Sequence, residues 1–133
     1  MWQGHWWSIR AGLWAAQDRQ RDADEAFGRA AAAFERIGDT SFDVAELHRA
    51  WGRTRVALRD AAGAVTVLQH AVALYEAASY DPAEVAATRF ELARARWDAG
   101  EHDDARTLAV ACRSELDAPQ RAQLDAWLRR HGS

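Results

Sequence analysis

Residues 82–112 read PAEVAATRFELARARWDAGEHDDARTLAVAC, and this stretch decides the fold. Asp81 can cap a helix that Pro82 opens, and Glu84 can reach back to the cap, so a helix begins here. Leu92-Ala93 sits in its middle, and Gly100-Glu101-His102-Asp103 supplies the turn that ends it. Beyond the turn, Ala105, Ala109 and Cys112 stand at i, i+4 and i+7, one stripe of a second helix. Two helices joined by a short turn have more apolar surface than they can bury against each other.

The pattern recurs upstream. Ala64, Leu68 and Ala71 repeat the trio, as do Ala26, Ala30 and Ala33. The register, taken from Ala26 to Ala64 to Ala105, steps by 38 and then by 41. Trp14, Gly52 and Ala93 each stand at the same distance ahead of the first alanine of a trio, preceded by Leu13, Trp51 and Leu92. Asp60-Ala61-Ala62-Gly63 marks a turn inside a unit; Gly38-Asp39-Thr40-Ser41 and Ser79-Tyr80-Asp81-Pro82 mark turns between units. Thr40 is a candidate cap for the helix after the first of these. The turn inside the first unit, near Gln20-Arg21-Asp22, has no glycine. Helices are expected over 5–20, 22–37, 41–59, 61–79, 82–99 and 102–116. A seventh, 119–131, carries Leu124, Trp127 and Leu128 to cover the open end. This is one all-α domain over 1–133, with hairpins over about 5–37, 41–79 and 82–116.

Composition agrees. Hydrophobic residues make up 49% of the 133, charged residues 28%, and Pro numbers only 2, so long helices and a packed core are favoured. The net charge of −3 offers no global attraction to nucleic acid or anionic lipid. All 17 basic residues are Arg, a bias that fits a GC-rich coding genome. The single Cys112 leaves no internal disulfide, and no run approaches a membrane span or a signal peptide. A cytoplasmic protein with no nucleic-acid and no membrane partner is expected.

At these residues the chain resembles the tetratricopeptide repeat. Trp51-Gly52 and Leu92-Ala93 match the bulky-small pair of its first helix. Ala64/Ala71 and Ala105/Cys112 match the small residues of its second, and Asp81-Pro82 its closing proline. The length of the unit looks like that of the long, kinesin-light-chain-type variant. Residues 82–95 resemble repeat tails of multidomain bacterial regulators such as serine/threonine kinases. The departures are Arg10, His48 and Arg89, and Gln17, Arg55 and Arg96, where the family has aromatics, and Trp14 where it has a small residue. The resemblance implies an α-α superhelix of three hairpins plus a C-terminal cap, acting as a protein-binding scaffold.

Chemistry is not written into the chain. His5, His48, His70, His102 and His131 show no metal-ligand spacing, and His102-Asp103-Asp104 reads as a turn opening a helix. No nucleophile elbow surrounds any serine and no phosphate loop is present, so no catalysis, no cofactor and no metal are expected. The resemblance places a groove on the first helix of each unit, at Ser8, Ala11, Ala15 and Asp18, then Glu46, Arg49, Arg53 and Val56, then Ala87, Phe90, Arg94 and Trp97. Arg49, Arg53 and Arg94 with Phe90 and Trp97 would suit an acidic or carboxylate-ended peptide bearing an apolar anchor. The same arginines could equally pair with Glu46, Glu91 or Asp98. Trp2, Trp6, Trp7 and Trp14 crowd the N-terminus. Trp7 and Trp14 suit an end cap, whereas Trp2 and Trp6 are candidates for an interface, including a homodimer in which the chain serves as a self-associating structural module.

Overall fold

The computed structural model describes residues 2–131, and the side chain of Trp2, a candidate interface residue, lies outside that description. All the regular elements described are helical: α1 (Trp2–Ala16), α2 (Gln20–Arg36), α3 (Phe42–Ala57), α4 (Ala61–Ala77), α5 (Pro82–Asp98), α6 (His102–Cys112) and α7 (Ala118–His131). A 3-10 turn over Arg113–Glu115 joins the last two. Each helix packs on its neighbours in the chain, most closely within the pairs α1–α2, α3–α4 and α5–α6. None of the described helices is long and apolar enough to cross a membrane.

The turns set the period. Asp18, Arg59 and Gly100 are the middle residues of the turns within pairs, and all three have left-handed backbone, with φ of 60°, 63° and 91°. Gly38 and Ser79 do the same between pairs. Both series advance by 41 in the numbering, as do the helix starts Gln20, Ala61 and His102. The expected first step of 38 is therefore corrected to 41, with the glycine-free turn at 17–19. The small residue of α1 is Ala11, fully buried, in line with Gly52 and Ala93, and not Trp14. The trio of α2 is Ala23, Phe27 and Ala30, all buried, in line with Ala64, Leu68 and Ala71.

Helix ends follow local chemistry. Asp81 accepts a bond from the Ala83 amide (3.1 Å) and Pro82 opens α5, as the sequence requires. Asp60 accepts from Gly63 (3.0 Å) and Asp117 from Gln120 (2.9 Å). The cap of α3 is Ser41 and not Thr40; its side chain makes no capping bond, and its amide is held by Asp39 at 2.9 Å. Glu84 is drawn away from the cap of its own helix to Arg49.

Small residues let paired helices close. A Cβ on Gly52 would lie 2.5 Å from Leu68, so α3 and α4 touch where any side chain would clash. The core runs along the stack in consecutive clusters. Phe27, Ala30 and Phe34 of α2 meet Val44 and Leu47 of α3; Ala64, Leu68 and Val72 of α4 meet Leu92 of α5; Phe90 and Ala93 of α5 meet Ala105, Cys112, Leu124 and Trp127.

Candidate binding face of the first helices

The helices α1, α3 and α5, the first of each pair, share one face of the stack. A cleft of about 420 Å³ separates α1 from α3, lined by His5, Ser8 and Gly12 on one wall and Asp43, Glu46, Ala50 and Arg53 on the other. A second cleft, about 250 Å³, lies between α3 and α5 and is lined by Arg53, Val56, Glu91, Arg94 and Asp98. Arg53 stands on the ridge common to both. The corrected period explains the first wall: His5, Ser8 and Gly12 take the positions of Glu46, Arg49 and Arg53. Ala11, expected on this face, is in the core.

The arginines are tied to acids of α5. Arg49 has a side chain only 14% exposed and bonds Glu91 at 2.6 Å and Glu84 at 2.8 Å. Burial alone would lower its pKa. The charge of Glu91 and the bonds to Glu84, Glu91 and Tyr75 outweigh that and hold the guanidinium firmly protonated, above its ordinary value. Arg53 reaches the other oxygen of Glu91 at 2.5 Å, but its side chain is 59% exposed. Glu91 thus clamps two arginines four residues apart on one face. Arg94 is exposed, its guanidinium 4.5 Å from the centre of the Phe90 ring. The ion-pair reading holds for Arg49 and Arg53 through Glu91; Glu46 and Asp98 form no ion pair with them.

Phe90 and Trp97 are not open to a ligand in the way the sequence led one to expect. Phe90 is 4% exposed and meets Trp127 of α7 edge-on at 6.1 Å. Trp97 is sandwiched by His102 (3.9 Å, stacked), Trp127 and His131, with Arg106 5.5 Å from its ring. The terminal helix claims both aromatics for the core. The exposed apolar side chain beside the arginines is Val56.

At the other end, Trp6 is 41% exposed and touches Trp7 edge-on at 4.6 Å, while Arg10 lies 5.0 Å from its ring and 4.9 Å from that of Trp14. Trp7 and Trp14 are half-buried against the α1–α2 core, in keeping with an end cap. On the opposite side of the stack, His48 is buried, donates from Nδ1 to the Val44 carbonyl (2.9 Å) and lies 4.3 Å, ring to ring, from His70. Burial lowers the His48 pKa, and His70 pushes the same way. Burial also raises the thiol pKa of Cys112, which is a small core residue. Among the described residues no three His, Cys, Asp or Glu side chains are grouped to hold a metal ion. Comparison with models of known protein families and with curated protein sequences gave no match.

Proposed function

We propose that this chain is a non-catalytic scaffold of the tetratricopeptide type, a superhelix of three hairpins and a cap that holds an extended peptide along α1, α3 and α5. The observation that carries this reading is the pair of adjoining clefts meeting at Arg53, whose guanidinium is bonded to Glu91 through Nε and whose side chain is 59% exposed. Two clefts side by side along α1, α3 and α5 suit successive side chains of an extended segment better than one compact ligand. Arg53 and Arg94 would meet a carboxylate, and Val56, in place of Phe90 and Trp97, an apolar side chain. Asp43 and Glu46, on the same wall as Arg53, would repel a uniformly acidic ligand, so the peptide should carry its acid at one end.

The test is binding of a peptide ending in a free carboxylate by Arg53→Ala and Arg29→Ala, at two salt concentrations. A charged hydrogen bond is worth roughly 1.5–3 kcal/mol, so Arg53→Ala should weaken binding about tenfold or more. Arg29, on α2 beside Trp7 and Glu25, should be indifferent. Equal losses would mean diffuse attraction, and no loss in either would remove the site.

A further inference from the structure

The repeat period allows the outer strip of α1 to be compared with the covered strips of α3 and α5. Val44, Leu47 and Trp51 of α3 pack on α2, and Val85, Leu92 and Ala95 of α5 pack on α4, with Thr54 and Thr88 completing the two strips by helical spacing. Of these eight residues all are buried except Trp51, which is half-buried. One period earlier the strip is Gln3, Trp6, Arg10 and Leu13, and all four are exposed, flanked by Ile9 at 72%. Among the described residues no helix lies on this strip of α1.

Charge says what kind of helix fits. In the first interior junction Asp24 of α2 accepts from Trp51 Nε1 (2.7 Å) and from Arg55 (3.1 Å); in the next, Glu76 of α4 accepts from Arg89. Each covering helix brings an acid to an arginine of the helix beneath. Arg10 occupies the position of Trp51, the residue Asp24 meets, and α1 contains no Asp or Glu of its own. A second copy is a poor occupant, because pairing α1 with itself would bring two arginines together and no acid.

We propose that the outer face of α1 docks an amphipathic helix of a partner protein, with an apolar contact stripe and an acid placed to meet Arg10, as α2 meets α3. The probe is a synthetic peptide of residues 20–36, cross-linked between positions 25 and 29, which are exposed in α2, so that its helix is already formed. Added to the intact chain and followed by polarisation of a label, it should bind saturably. Leu13→Glu and, separately, Ile9→Glu should each weaken binding at least tenfold while circular dichroism stays unchanged. Arg10→Glu should weaken it too, and a peptide carrying Asp24→Arg should restore it. No saturable binding, or binding indifferent to both Leu13→Glu and Ile9→Glu, would overturn the proposal. So would a dimer of the chain alone that Leu13→Glu dissociates, since the face would then belong to a second copy.

Discussion

The two ends of the stack meet water in opposite ways. At the C-terminal end α7 lays Leu124 and Trp127 over Phe90, Ala93 and Ala109, and Arg113 fastens it through two bonds to Asp125 at 2.7 and 2.9 Å. The solvent side of α7 includes Gln123, Arg129 and Arg130. At the N-terminal end α1 shows Trp6, Ile9 and Leu13. Both ends are rich in tryptophan, so residue type does not decide which is sealed. The presence of one more helix does. A repeat position becomes core or surface according to whether another helix is stacked on it.

The largest effect should come from breaking the sealed end. Trp127→Ala empties a buried site bounded by Phe90, Trp97 and His131, and large aromatic truncations of this kind cost roughly 3–5 kcal/mol. Ile9→Ala, at the open end, should stay within about 0.5 kcal/mol. Urea unfolding followed by circular dichroism measures both. Comparable losses would mean that α7 is not a cap and that the contrast between the ends is false.

Glycines sharpen the same contrast on a smaller scale. Gly52 lies in the interior and Gly12 on α1, both within helices. Gly52→Ala should cost about 1–3 kcal/mol, because the added methyl meets Leu68, itself fully buried. A Cβ on Gly12 would have nothing within 4 Å, so Gly12→Ala should stabilise by about 0.5–1 kcal/mol through helix propensity. A loss at Gly12 would mean that the wall of the α1–α3 cleft is more tightly filled than the structure shows.

The sequence made the helices, most of their turns and the terminal helix legible, because Asp81-Pro82, Asp60 and Gly100 are punctuation with direct backbone consequences. The first unit was misread by one helical turn for an equally physical reason. Ala23, Ala26, Ala30 and Ala33 all lie along α2, so sliding the stripe by one turn leaves an alanine at nearly every contact. The turn that would have fixed the register uses Asp18 in left-handed backbone, a role more often given to glycine. The arginines of the binding face were legible as a group through their i, i+4 spacing. Their partner, Glu91, was one of three acids the spacing allowed, and only the packing of α3 on α5 selects it. Phe90 and Trp97 were misplaced because periodicity gives the face of a helix without saying whether a later helix will lie over it.

The smallest effect separates a buried junction from the open end by pH. One period apart, the same position holds Trp7 at the open end, His48 in the first junction and Arg89 in the second. Trp7 cannot titrate and Arg89 is paired with Glu76, whereas His48 is buried and, through that burial, its pKa lies below the ordinary 6.5. The bond to the Val44 carbonyl and, less strongly, the charge of Glu35 of α2 pull the other way, each more weakly than burial. With the folded value depressed, the unfolded chain takes up the proton first. The stabilising contribution of a neutral His48 is therefore whole above about pH 6.5 and is lost as pH falls below it. Urea midpoints measured from pH 7.5 down to 5 should decline through this range, and His48→Gln, which cannot titrate, should flatten the decline. If the two proteins lose stability in parallel, other groups govern the acid limb, and the buried junction is no more sensitive to protons than the open end.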